Sequence, residues 1–333
     1  MIVIDKAILH ILDFNSGMTV FSDEELTVEN SIETFLLKHI EKSMSSQDAK
    51  EGKFYEDSEC KKLLQAYLSG EMDFVPFSRE IAHTLEKALL QSEEMTSADF
   101  LVCDVRIEDQ RKIIFFKCNS HMGVDHQVNQ TEHGVKNEII NHYSIMPNLT
   151  QKMDEFAFID TETLSISVLA KKYTIDGNSI FVFPEILLEC GQAPSPKETI
   201  KKVSQAVKKV AEAYGQDEVE TAAAVKSFIS EKMQKTDELD PLEAGKEVFR
   251  DNPAMQADYN AQIKEAGFTE PVKMDQEATL KKMRNHKLKT DTGIELTIPI
   301  DYFDNTEFVE FNNNTDGTLS ITLKHILNIT NRG

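Results

Sequence analysis

Apolar residues return every three or four positions through three early stretches, and that spacing predicts amphipathic helices. One carries Ile32, Phe35, Leu36 and Ile40; a second carries Cys60, Leu63, Leu64, Tyr67 and Leu68. A third runs through Ile81, Leu85, Ala88, Leu89 and Met95, with Ser78 as the expected N-cap. The period then changes to two. Leu101, Cys103, Val105 and Ile107 alternate, a polar turn follows at Glu108 to Arg111, and a return strand holds Ile113 to Phe116. A second hairpin is predicted across ISVLAKKYTIDGNSIFVF, where Asp176-Gly177 supplies the positive φ of a tight turn. Local antiparallel pairing and the lack of an alternating βαβ series point away from a doubly wound parallel sheet.

From residue 196 the pattern is helical. Ser195, Pro196 and Glu198 fit N-cap, first helical position and capping-box partner, and Ile200, Val203, Val207, Val210 and Tyr214 form the stripe behind them. Asp240, Pro241 and Glu243 repeat the start signal. Another helix is expected from Asn252-Pro253 through Met255, Tyr259 and Ile263 to Gly267. The stripes at 200–214 and 219–233 suit two helices packed on each other or on a sheet; a partner groove or a coiled-coil arm is the alternative. Beyond residue 270, Ile294, Leu296, Ile298 and Ile300 alternate, Phe308 to Phe311 and Leu319, Ile321 and Leu323 follow, and Asp316-Gly317 marks a turn. The fold class expected is therefore α+β. Residues 1–195 form a mixed domain with antiparallel hairpins, 196–268 a helical segment, and 269–333 an antiparallel β segment.

Charge narrows the function. Lysine and arginine number 36 against 57 acidic residues, a net charge of -21. Residues 1–195 hold 17 basic and 33 acidic side chains, net -16, and residues 196–333 hold 19 and 24, net -5. Such a chain is repelled on average by DNA, RNA and anionic lipid, so a polyanion must be met by a local basic patch, a cation bridge or a basic partner protein. One patch stands out. LKKMRNHKLK carries Lys281, Lys282, Arg284, Lys287 and Lys289 around His286, with no acid between Glu277 and Asp291. These five cations could neutralise phosphates; cations drawn to a helix C-terminus are the plainer explanation. No apolar run approaches the about 18 residues of a membrane span. The start MIVIDKAILHILDF has no basic n-region and no small-residue cleavage site, so a cytosolic chain is expected. Cys60, Cys103, Cys118 and Cys190 form no C-x-x-C pair and read as reduced, buried thiols.

Catalytic signals are sparse. NSHMGVDHQVNQTEHG offers His121, Asp125, His126 and His133, with Glu132, as weak metal candidates, but their spacing fits no zinc motif and the run reads as a loop. Cys118 and His121 are close in sequence, yet in a strand and a loop. No G-x-S-x-G elbow and no phosphate-cradling glycine loop occurs. Asp301, Asp304, Glu307 and Glu310 cluster near a strand end, where turn formation accounts for them. Without tryptophan, a base-stacking platform would rest on Tyr302 and Phe303.

The string HKLKTDTGIELTIPIDYFDN, followed by EFVEFNNNTDGTLSITLKHI, resembles the bacterial nucleoid-associated proteins of the NdpA/YejK type. FPEILLECGQAPSPKETIK, HYSIMP with DEFAFID, and the early AILHILD add to the resemblance, which spans most of the chain. It implies a cytoplasmic protein found with the nucleoid, non-enzymatic, with no cofactor and no catalytic residues. Its partner would be nucleoid DNA, reached directly or through a nucleoid protein, and not a membrane; an oligomer is left open. The acidic balance departs from that of a protein that coats DNA by itself, which leaves two routes: the patch at 281–289, or an acidic adaptor docked on a basic DNA-bound protein.

Overall fold

The computed structural model describes residues 1–142, 146–303 and 305–330. The chain divides into two compact units, residues 1–193 and 194–333. Both mix helices with antiparallel strands, an α+β architecture.

Unit 1 opens with β1 (Ile2–Asp13) and β2 (Met18–Val20), then α1 (Asn30–Met44), β3 (Lys50–Phe54), α2 (Glu59–Ser69) and α3 (Phe74–Leu90). A run of strands follows: β4 (Ala98–Ile107), β5 (Gln110–Asn119), β6 (Gly123–Thr131), β7 (Gly134–His142), β8 (Glu155–Asp160), β9 (Ser165–Leu169), β10 (Lys172–Ile175) and β11 (Asn178–Phe181). A π-helical turn (Val182–Leu187) and β12 (Cys190–Gln192) close the unit. Eight strands make one sheet in the order β12-β3-β9-β8-β5-β4-β1-β2, antiparallel at every neighbouring pair.

The sheet is covered on both faces. Phe100 and Val102 of β4 face α2, α3 and the π-helical turn, with Phe115, Ile159, Leu64, Phe77 and Phe183. Leu101, Cys103, Val105 and Ile107 point the other way, onto Leu36 and Ile40 of α1. This is the face the alternation predicts. A bulge in β1 between Ile4 and Lys6 resets the period, so that Ile2 and Ile4 share a face with Ala7 and Leu9. The β4–β5 turn is made by Glu108 (φ 51) and Asp109 (φ 70), and Asp176 (φ 50) with Gly177 (φ 73) turns β10 into β11; both have the left-handed pair that two-residue hairpins need. Cys60, Cys103, Cys118 and Cys190 are free and buried.

Four expectations change. The second hairpin is shorter than ISVLAKKYTIDGNSIFVF. Ser165–Leu169 joins the large sheet between β3 and β8, and only Lys172–Phe181 pairs on itself. Ser78 is not a cap. α3 begins at Phe74 behind Asp73, because Pro76 in the first turn needs no intrahelical donor, and Ser78 is buried inside the helix. Met95 lies past the end of that helix, exposed and with positive φ. The histidine-bearing run is no loop: its residues 123–131 form β6, paired along its length with β7.

Unit 2 runs α4 (Pro196–Ala213), α5 (Glu218–Lys235), β13 (Glu238–Leu239), α6 (Pro241–Val248), α7 (Pro253–Glu265), β14 (Val272–Lys273), α8 (Gln276–Met283), β15 (Asn285–Lys289), β16 (Glu295–Pro299), α9 (Ile300–Phe303), β17 (Val309–Asn313) and β18 (Leu319–Leu323). The residues expected as a helical segment, 196–268, lie here; those expected as an antiparallel β segment, 269–333, also carry α8 and α9, and Ile300, expected to extend the strand alternation, opens α9 instead. The Ser195–Glu198 capping box is complete, with Pro196 at the first turn. Asp240 and Asn252 cap α6 and α7 in turn; Glu243 makes an ion pair with Lys232 instead of closing a box. Val203, Val207 and Val210 of α4 meet Val225, Phe228 and Ile229 of α5 in one core with α6, α7 and α8, so the two stripes bury each other. A second core joins Ala223 of α5 to Ile298, Ile300, Phe303 and Val309. Two hairpins, β15–β16 and β17–β18, complete the unit.

Candidate nucleic-acid interface

The cations of the 281–289 stretch stand on two consecutive elements of unit 2. Asp275 caps α8 by accepting from the Ala278 N–H at 2.8 Å. Lys281 and Lys282 occupy the last turn of that helix, where unpaired carbonyls favour positive charge. Arg284 follows as the C-cap; its carbonyl accepts from the Ile300 N–H at 2.9 Å, which ties the helix end to the strand region beyond. β15 then alternates. His286 and Leu288 turn inward, and Lys287 and Lys289 turn outward. All five predicted cations are exposed.

Three details refine the patch. His286 contributes no cation at neutral pH. It is buried, its ring lies 4.4 Å from that of Phe303, and burial together with the nearby Lys226 ammonium lowers its pKa to about 4. Lys289 stands opposite Glu295 across the β15–β16 ladder, with an ion pair at 3.1 Å that discounts its free charge. Lys226 of α5 adds a cation that the sequence pattern does not single out. Its Nζ donates to the Asn285 carbonyl at 3.3 Å, and burial and then the charge of Lys287 lower its pKa. Lys226 lies more than fifty residues before the patch; its one sequence signal is a lysine inside the apolar stripe of α5.

Of the two aromatic candidates, Phe303 is enclosed in the core against His286 and Phe311, which removes it as a stacking platform. Tyr302 remains exposed, 4.9 Å from Phe308 by ring centroid. An apolar groove of about 730 Å³, lined by Leu288, Ile294, Leu296, Phe311 and Leu319, adjoins Lys289.

The other candidates scatter. His121 precedes β6 and lies 3.6 Å from Asp154; Asp125 and His126, neighbours in β6, meet each other at 3.4 Å; His133 sits at the turn after it. Among the described residues no group of three or more His, Cys, Asp or Glu is placed to hold a metal ion. Cys118 is buried, and desolvation raises its thiol pKa, which opposes a nucleophilic thiolate. Glu310 pairs with Lys324 at 2.6 Å, Asp301 and Glu307 are exposed, and Asp304 lies outside the described residues, as do Tyr143, Ser144 and Ile145 of the HYSIMP string. No helix among the described residues is long and apolar enough to cross a membrane.

The sequence model of a family described as nucleoid-associated protein YejK matches residues 8–330 of the chain. No curated protein matches it.

Proposed function

The chain belongs to the nucleoid-associated protein YejK family, and from that premise we propose that it contacts bacterial chromosomal DNA directly, through phosphate neutralisation at the cationic ridge of α8 and β15. The carrying observation is the joint exposure of Lys281, Lys282, Arg284, Lys287 and Lys289 on consecutive elements, in a chain whose net charge is -21. A molecule so acidic cannot hold DNA over its whole surface; attachment is confined to one place. Lysines on a helix end and a strand meet phosphates as point charges and carry little base information. The role is binding, at the nucleoid and without a catalytic step.

A salt titration of duplex binding tests the reading. With all five cations replaced by glutamine, the slope of log affinity against log salt should shrink by about 0.9 for each phosphate no longer neutralised. An unchanged slope removes the ridge from the function.

A second reading has its own support. Residues 1–195 carry net -16, a surface suited to a basic, DNA-bound protein. An adaptor of that kind would ignore naked DNA and keep its partner through nuclease treatment of a lysate, whereas a direct binder would lose its company on digestion.

A further inference from the structure

Tyr302 carries an exposed aromatic ring beside the cationic ridge. It lies on α9, directly after β16, and Ile300 at the head of that helix donates its N–H to the Arg284 carbonyl at 2.9 Å. Tyr302 is two residues further on, a span of at most about 7 Å. The ladder fixes the same neighbourhood, since Asn285, next to Arg284, pairs with Pro299. The Tyr302 ring is 46% exposed and leans on Phe308 with centroids 4.9 Å apart; Phe308 in turn meets the His325 ring edge-on at 5.9 Å. A ring braced in this way gives up little freedom when a flat partner lies on it.

Charge around the ring is opposite to that of the ridge. Asp301 precedes Tyr302 and Glu307 precedes Phe308, and both carboxylates are exposed. Lys324 is engaged locally: it pairs with Glu310 at 2.6 Å and donates to the Thr306 carbonyl at 3.1 Å. Phosphates are therefore drawn to α8 and β15 and repelled at α9. A duplex laid across both would bring phosphates of two strands to the acidic side, with its base faces closed to the ring. A single strand can keep its backbone on the ridge and turn an uncharged base outward.

We infer that Tyr302 is a base-stacking residue, and that ring and ridge together favour single-stranded over duplex DNA. The inference rests on the ridge as the phosphate contact and adds which strand state of DNA that contact selects. The backbone of the strand passes over Arg284 and its neighbours, and a base one or two nucleotides along lies on the Tyr302 ring. Asp301 and Glu307 discriminate by opposing the phosphates of a second strand. Stacking reads no sequence, because every base has a π-face.

Fluorescence anisotropy of the full chain tests this, with a dye-labelled oligothymidylate of about 12 nucleotides and a duplex of the same length. The parent should hold the single strand more tightly. The preference should widen as salt rises, since log affinity falls by about 0.9 per phosphate contact for a duplex and about 0.7 for a single strand. Tyr302→Leu, which keeps an apolar cover on Phe308, should lower single-strand affinity by roughly five- to a hundredfold and leave duplex affinity as in the parent. Tyr302→Phe should bind both as the parent does. Asp301→Asn with Glu307→Gln should gain more affinity for the duplex than for the single strand. The chain has no tryptophan and seven tyrosines, so tyrosine emission reports the contact directly. The single strand should quench the parent, and Tyr302→Phe should bind with less quenching, a difference that a purely structural role would not produce. A Tyr302→Leu chain with the parent's ratio of single-strand to duplex affinity overturns the inference. So does a parent that prefers the duplex at every salt concentration, or a Tyr302→Phe chain quenched as fully as the parent. The two readings fail separately. An unaltered ratio in Tyr302→Leu removes the ring and leaves the ridge, whereas an unchanged salt slope after glutamine replaces the five cations removes the ridge and this inference with it.

Discussion

Lys117 and Glu155 face each other across β5 and β8 with their charged ends 3.1 Å apart, and neither side chain reaches solvent. The pair is enclosed by further hydrogen bonds. Lys117 also donates to Asn119 Oδ1 and to the Tyr173 hydroxyl, Tyr173 donates to Glu155, and the Lys171 N–H reaches the other Glu155 oxygen at 3.0 Å. Burial lowers the lysine pKa, and the carboxylate opposes that shift. Two charges in a core are tolerated because every polar end is met. Lys117→Met should therefore cost about 3–5 kcal/mol by leaving Glu155 buried without its counter-ion. Lys117→Met combined with Glu155→Leu should regain much of that loss. Urea unfolding followed by circular dichroism reads both; a single variant within about 1 kcal/mol of the parent contradicts the account.

Lys226 should act as a sixth member of the cationic ridge, since its Nζ donates to the carbonyl of Asn285, the first residue of β15. Lys226→Gln is expected to shrink the salt dependence of duplex binding by the equivalent of about one phosphate. Glu295→Gln should have the opposite effect, strengthening binding at low salt by releasing Lys289 from its ion pair. Equal affinity for the parent and the Glu295→Gln chain would mean that Lys289 does not touch DNA.

Two histidines make stability fall on mild acidification. The Ser22 N–H donates to His10 Nδ1 at 3.2 Å, which leaves Nε2–H to donate to Ser78 Oγ at 3.1 Å, so the neutral ring is the one that fits. Burial, then Arg79 and His83, lowers the His10 pKa to about 4, and His286 is lowered to about 4 as well. The unfolded chain takes up protons near the ordinary histidine pKa while the folded chain does not. Their contribution is thus complete above about pH 6.5 and declines as pH drops towards 4. A His286→Leu chain, which keeps the apolar contact with Phe303, should lose less melting temperature than the parent between pH 7 and 4.5. Parallel losses in the two chains would contradict this assignment.

Gly245 lies inside α6, where alanine would ordinarily be the better helix former. Here it should destabilise. A Cβ at this position would sit 2.2 Å from Tyr259 Cδ1, and Tyr259 is fully buried with its hydroxyl donating to the Pro241 carbonyl at 2.7 Å. Gly245→Ala is expected to cost about 1–3 kcal/mol, as overpacked cores do; a chain that gains stability would show that the ring can give way.

Much of the fold is legible in the sequence wherever one local rule acts alone. Ser195, Pro196 and Glu198 announce a helix start because each satisfies one backbone requirement, and Leu101 to Ile107 alternate because one face of β4 meets α1. The β6–β7 ribbon is harder to read. Its aliphatics on β6 recur every fourth residue, with His126 between Val124 and Val128, so the period-two signal is diluted by polar residues on both faces. Ser78 misleads because its hydroxyl is taken up by His10 and by the Val75 carbonyl, partners that no cap rule anticipates. At the ridge, five cations are adjacent in the chain and visible as such. Lys226 arrives from another helix, and the inward turn of His286 depends on Phe303, seventeen residues on.

Helix α5 gives Val225, Phe228, Ile229 and Met233 to one core of unit 2 and Ala223 to the other. A rod embedded at both ends cannot fray on one side alone. Heat or denaturant should therefore dissolve the helical half and the paired hairpins of this unit in a single step, and amide protons of α5 should exchange with deuterium only at the rate of that common opening.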